Sequence, residues 1–287
     1  MMWTLLSGVL ILSLSGLVTA HEDVPMRFAA GIHPARLAQI TFDGKLDDWA
    51  WMPATFVYTR DEFTTQSTGI QEGRVSREDF DILLYVGWSP DTQMLYHAIQ
   101  VTDDAFFSLA EGTDQAFGED VFQWPVDPDH SGGPLRPEGA DSKGGQQIVY
   151  TPDENTFRLY GPQELAWTYK EPWLFFGSSK DGASWTLEMA AVIWDWLDTS
   201  PETSIRHRFE AGQIIGWTAL IKDTDSQDDR EQVRMTPRDA AQTTDFYADL
   251  FMVSIEDTEA EVDQTRYPLP TAVESETWGR IKSTFVK

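Results

Sequence analysis

The chain has no cysteine, and positive charge is scarce: 21 Lys and Arg stand against 47 Asp and Glu, a formal charge of −26 at pH 7. The missing thiols exclude disulfides, zinc–thiolate sites, iron–sulfur clusters and a cysteine nucleophile. Any metal must be held by oxygen or imidazole, and Asp-rich loops favour hard cations such as calcium. The charge deficit argues against nucleic-acid binding, because phosphate neutralisation needs a Lys/Arg surplus. An anionic membrane surface would repel such a chain as well. There is no G-x-S-x-G, no Walker loop, no H-E-x-x-H and no dinucleotide fingerprint. The five histidines, His21, His33, His97, His130 and His207, show no metal-ligand spacing. Apolar and aromatic side chains are plentiful, at 41% and 13% of 287 residues. That argues against disorder and provides for a substantial core in one or two domains.

Residues 1–20 read as a separate object. They carry no charge, residues 3–18 are largely apolar, and Val18, Thr19 and Ala20 place small residues where a signal peptidase reads. The stretch is shorter than the ~20 residues of a membrane span. It reads as a secretory signal peptide, with a mature chain opening at His21. This predicts a secreted, periplasmic or cell-surface protein with no membrane insertion after cleavage. No later segment is long and apolar enough to span a bilayer.

The mature chain reads as strands. Residues 80–88 and 93–101 are aromatic-rich apolar runs separated by Ser89, Pro90, Asp91 and Thr92, which supply turn chemistry. Further strand-like runs are 39–42, 54–58, 119–126, 145–150, 156–160, 185–192, 213–222 and 247–255. In 185–192, Trp185, Leu187, Met189 and Ala191 alternate with Thr186, Glu188 and Ala190, the pattern of a strand with one buried face. Helical periodicity is rare; one short candidate is 193–197. Many strands at short spacing predict an all-β, antiparallel sandwich of jelly-roll type over residues 21–256. Residues 257–270, acidic and then proline-containing, read as a linker. Beyond it Trp278, Ile281 and Phe285 take helical spacing, so 257–287 is expected to be a linker and a short C-terminal helix. That tail either packs back on the domain or attaches the protein to the cell envelope.

Two side-chain populations suggest chemistry. The segment Asp223-Thr-Asp225-Ser-Gln-Asp228-Asp229 concentrates carboxylates, and a divalent ion would relieve their repulsion. It is not an EF-hand, because Asp228 stands where Gly is required and Arg234 where the closing Glu is. The alternative is a solvated acidic loop. Asp103-Asp104 and Asp127-Pro-Asp129 are weaker versions. The 12 tryptophans are the second population. Trp185, Trp194 and Trp217 read as core, whereas Trp167 and Trp173 fall in a loop and are expected to be exposed. His97, inside a strand, reads as a satisfied structural histidine.

Five segments in order resemble the family 9 carbohydrate-binding modules and their DOMON-like sandwich relatives: ITFDGKLDDWAWMPA, VGWSPDTQMLYHAIQVTDDAF, FGEDVFQWPVDPD, SWTLEMAAVIWDWL and GQIIGWTALIKDTDSQDDREQ. Together they cover roughly residues 36–255. The resemblance implies a non-catalytic β-sandwich that binds carbohydrate and carries structural calcium. Asp120 matches the family's Asp in the third segment. Phe117 stands where a sugar-stacking Trp would be, Gln123 replaces a sugar-binding Glu, and Gln147 stands where a binding Arg would be. The second stacking Trp is absent near Ala241. The resemblance thus assigns Phe117, Gln123 and Gln147 to the ligand, with a packed loop aromatic the alternative for Phe117, and Glu188, Asp223 and Asp225 to metal or polar structural contacts; Asp104 joins the metal candidates through its acidic pair with Asp103. A buried Glu188 must find a cation or hydrogen-bond donors. A related sandwich branch binds haem b through Met and Lys, for which Met94, Met189 and Lys222 are candidates. A surface protein without a small ligand is the third alternative.

Overall fold

The computed structural model describes residues 25–65, 77, 79–107, 119–133, 135, 145–153, 155–159, 165–226, 230–235 and 243–269. The signal-peptide segment, Phe117 and the C-terminal helix expected after residue 275 lie outside them.

The strands in chain order are β1 (Arg27–Gly31), β2 (Val57–Thr59), β3 (Thr64–Thr65), β4 (Phe80–Ser89), β5 (Met94–Asp103), β6 (Val121–Asp127), β7 (Gln146–Thr151) and β8 (Thr156–Leu159). They continue as β9 (Leu174–Asp181), β10 (Ser184–Ala191), β11 (Trp194–Trp196), β12 (Ile205–Arg206), β13 (Ile214–Trp217), β14 (Leu220–Thr224), β15 (Arg230–Arg234) and β16 (Ala248–Met252). Two short α-helices, α1 (Pro34–Leu37) and α2 (Ile255–Glu261), and several single-turn 3-10 helices accompany them among the described residues. One layer runs β4-β5-β10-β9, with β2 and β1 sharing the outer edge of β4. The other holds β8-β7-β6, with β13 and β14 sharing the far edge of β6 and leading to β16 and β15. β1 joins the two layers: Arg27–Ala29 pair with β16 and Ala30 and Gly31 with β4, both in parallel. Every other pairing is antiparallel. The architecture is an all-β sandwich.

The β4–β5 hairpin forms where the sequence predicts it. Ser89 Oγ accepts from the amides of Asp91 (3.2 Å) and Thr92 (3.4 Å), so the turn satisfies its own backbone. The period-two pattern then directs Ile82, Leu84, Val86 and Trp88 inward, against Phe122, Trp124, Ile215, Trp217 and Leu250 of the other layer.

The run 54–58 opens as a 3-10 turn over Ala54–Phe56 before β2, 213–222 divides into β13 and β14, and four further elements depart from the sequence reading. First, β10 is buried on both faces. Trp185, Leu187, Met189 and Ala191 enter the inter-layer core, while Ala190 packs into a second cluster with Trp49, Trp51, Phe56 and Tyr96. Residues 32–56 and 165–173 cover that outer face, which a two-layer reading leaves to solvent. Second, 39–42 is not a strand but part of this cover. Third, 193–197 is not helical: Trp194 and Trp196 pair with Arg206 and Ile205. Fourth, the linker expected from 257 begins as α2. Ser254 caps it by accepting from Asp257 N at 3.0 Å. Thr258 Oγ1 accepts from Gly31 N at 2.9 Å, and Glu259 grips Arg36 with two hydrogen bonds. These tertiary contacts outweigh an acidic composition that suggests a linker.

Candidate functional site

Six carboxylates gather at one end of the sandwich. Asp79 precedes β4, Asp103 ends β5 with Asp104 next, Asp120 precedes β6, Asp223 lies near the end of β14, and Asp225 follows it. They form two triads, Asp103–Asp120–Asp223 and Asp79–Asp104–Asp225, each with one carboxylate oxygen per residue within 4.8 Å of the others. The inner triad is largely buried. Asp120 accepts from Phe107 N and Thr224 N, both at 2.8 Å. Asp103 Oδ1 accepts from Ala105 N at 3.1 Å, while its buried Oδ2 has no partner among the described residues.

Burial raises all three carboxyls, and their neighbours add repulsion. Asp103 is pushed to about 7, by burial first and then by the charges of Asp225 and Asp104. Asp120 rises to about 8, again through burial and then Asp103. Asp223 rises to about 9, through burial and then Asp103, Asp79, Asp120 and Asp225. A set of hard oxygen donors, one of them orphaned, fits a hard divalent cation.

The expected metal residues therefore divide. Asp104, Asp223 and Asp225 join the gathering; Glu188 does not. It stands opposite Ala98 in β5, five residues from Asp103, a separation of about 16 Å at the rise of a strand. The fully buried Glu188 carboxylate is surrounded by donors instead. Its Oε2 accepts from the backbone N–H groups of Asp43 (3.0 Å), Gly44 (2.8 Å) and Lys45 (3.2 Å), and its Oε1 from Trp49 Nε1–H (2.7 Å). Burial pushes its carboxyl up to about 7, and these donors pull the other way. The turn reaches Glu188 because glycines allow it. Gly44 has φ +79°, and a Cβ on Gly177, the register partner of Glu188 in β9, would lie 2.0 Å from Phe42 O.

Sequence reasoning missed Asp79, and Asp103 was only a weak candidate. The signal was the hairpin register: Phe80 pairs with Asp103, and Asp104 N donates to Asp79 O at 3.1 Å. Extending the first apolar run back by one residue and the second forward by three sets Asp79 beside Asp104, with Asp103 opposite Phe80.

On the outer face of the other layer Gln123 of β6 and Gln147 of β7 meet. Gln147 Nε2 donates to Gln123 Oε1 at 2.6 Å, and both residues are about 2% exposed. The haem candidates do not meet. Met189 enters the inter-layer core and Met94 the cluster on the opposite face of the same layer. Lys222 alternates with the inward-facing Ile221 and so faces outward from the other layer.

Three aromatic expectations have clear outcomes. Trp185, Trp194 and Trp217 are core residues. Trp167 and Trp173 are not free platforms: each meets Trp194 edge-on at 5.1 Å, and Trp167 Nε1–H donates to Thr199 O. His97 lies fully buried between the layers. Its Nε2 accepts from Trp217 Nε1–H at 3.1 Å, its ring packs against Trp124, and its Nδ1 has no partner among the described residues. Burial lowers its pKa to about 3, so it is neutral.

No protein-family model matches the chain, nor does any curated protein compared with it. Solved structures do. The fold is that of a family 9 carbohydrate-binding module. The chain is similar to such a module from Caldicellulosiruptor kristjanssonii solved with cellotriose: TM-score 0.52, 11% identity, 80% of this chain and 94% of that one covered. A second structure of such a module from the same organism, solved with glucose, gives a TM-score of 0.53 at 11% identity, with 80% and 96% covered.

Proposed function

We propose that this chain is a non-catalytic, exported saccharide-binding protein whose acidic end holds calcium. The structurally similar modules are complexes with cellotriose and glucose, which supports the ligand class. The observation that carries the reading is the meeting of Gln123 and Gln147, the two polar residues the family resemblance assigns to the sugar, on neighbouring strands of one outer face. Their mutual bond uses one donor and one acceptor. Among the described residues it leaves the Gln123 amide NH2 and the Gln147 carbonyl unused, the groups this reading assigns to ligand hydroxyls. The family resemblance assigns the aromatic contact to Phe117, which lies outside the described residues. Asp103, Asp120 and Asp223 would hold one calcium ion, with Asp79, Asp104 and Asp225 around it. Bound calcium supplies charge neutralisation, and the residues that would hold it join the ends of β5, β6 and β14. The signal-like segment 1–20 supports export.

A glycan array probed with the protein in calcium and in EDTA tests the function. Binding of a neutral glycan that weakens at least tenfold in Gln123→Leu/Gln147→Leu is the expected result. Failure of every saccharide to bind, with and without calcium, overturns the reading.

A further inference from the structure

A cleft of about 460 Å³ lies on the side of the sandwich remote from the Gln123–Gln147 face. It is formed by the layer of chain that covers β5 and β10, together with the segment following α2. Arg36, Gln39, Thr41, Asp47, Asp48 and Arg266 are its polar walls, and Trp51 and Tyr267 supply aromatic surface. The volume falls within the usual ~300–1,000 Å³ of small-molecule sites.

The walls are set by the fold. Arg36 is only 3% exposed; Glu259 holds its Nε (2.5 Å) and Nη2 (2.7 Å), and its guanidinium lies 4.7 Å from the Trp51 ring centroid. Thr41 fixes Asp48 through its backbone N–H (2.6 Å) and its hydroxyl (2.8 Å), both donated to Asp48 Oδ2. Arg266 lies over the Tyr267 ring at 4.9 Å. Trp51 Nε1 is buried without a partner among the described residues.

The charge balance selects the ligand class. Glu259 answers Arg36, and Lys45 answers Asp43, which also lines the cleft. Arg266, Asp47 and Asp48 are the remaining charged groups of the lining. An anion meets two carboxylates, a cation meets a guanidinium, and an apolar ligand would strip water from all of them. A neutral polyol, whose hydroxyls each donate and accept, satisfies adjacent donors and acceptors at once. We propose that this cleft is a second saccharide-binding site, distinct from the Gln123–Gln147 face. This rests on the reading of the chain as a saccharide binder and extends it: with sites on opposite layers, one molecule bridges two glycan chains.

The test is site-resolved NMR of the full ¹⁵N-labelled chain titrated with cellotriose, then with xylotriose. Gln39→Ala/Arg266→Ala changes two exposed residues, so thermal unfolding should be unaltered. Saturable shifts of the Trp51 indole signal, assigned with Trp51→Phe, that fall at least fivefold in Gln39→Ala/Arg266→Ala are expected. They should persist in Gln123→Leu/Gln147→Leu. If only the Gln123 and Gln147 amide signals move, the cleft proposal is overturned and the earlier reading stands. If only the cleft signals move, the cleft is a saccharide site and the Gln pair is not. If neither trisaccharide moves either set, both fail.

Discussion

Glu188 and the triad Asp103, Asp120 and Asp223 are buried carboxylates in one sandwich, yet the protein treats them oppositely. Glu188 is alone and collects four N–H donors from residues 43–49. The triad shares two backbone N–H bonds on Asp120 and one on Asp103, and its members repel one another. A buried carboxylate is stable when donors or cations answer its charge. For Glu188 the chain supplies the answer itself; at the acidic end, among the described residues, the buried Asp103 Oδ2 has none. This difference supports reading the first site as structural and placing the proposed calcium at the second.

The largest effect comes from breaking the donor side. Glu188→Ala leaves Trp49 Nε1 and three backbone N–H groups unanswered and should cost about 3–5 kcal/mol. Gly177→Ala should act in the same direction by forcing the 42–44 turn off β9. Denaturant unfolding in calcium and in EDTA should give equal losses; a loss confined to calcium would make Glu188 a metal residue after all.

Breaking the other side should show the converse. Calcium should raise the Tm of the wild-type chain, with about 2.7 kcal/mol of stabilisation at a hundredfold excess over Kd. Asp120→Asn/Asp223→Asn should abolish that response and, by removing repulsion, unfold at higher temperature than wild type in EDTA. A calcium response retained by the double variant contradicts the assignment.

The smallest effect sharpens the comparison with a third buried titratable group. His97 has neither a cation nor a carboxylate and remains neutral, its pKa lowered from 6.5 to about 3. The unfolded chain takes up its proton below 6.5 while the folded chain does not. Stability from this site is therefore complete above 6.5 and declines by about 1.4 kcal/mol per pH unit as pH falls toward 3. Relative to wild type, His97→Gln should gain about 2 kcal/mol between pH 6.5 and 5, read from denaturant midpoints. An unchanged difference across that range would show that His97 is not held neutral.

Legibility in the sequence followed locality. The β4–β5 hairpin was readable because its runs and turn residues are contiguous. The double burial of β10 was not, because the chain that covers its second face comes from residues 32–56 and 165–173. Trp194 and Trp196 pass for a helical turn until Ile205 and Arg206 arrive to pair with them. At the site, Asp223 and Asp225 were visible as a run of acids. Asp79 required the register of a hairpin, and the donors of Glu188 required a turn 139 to 145 positions away in sequence.

The most direct measurement is calorimetric titration of the EDTA-stripped chain with calcium. Saturable binding is predicted in the wild type and in Glu188→Gln, and none in Asp120→Asn/Asp223→Asn. Absence of binding to the wild type, or loss in Glu188→Gln with retention in the double variant, would contradict the account.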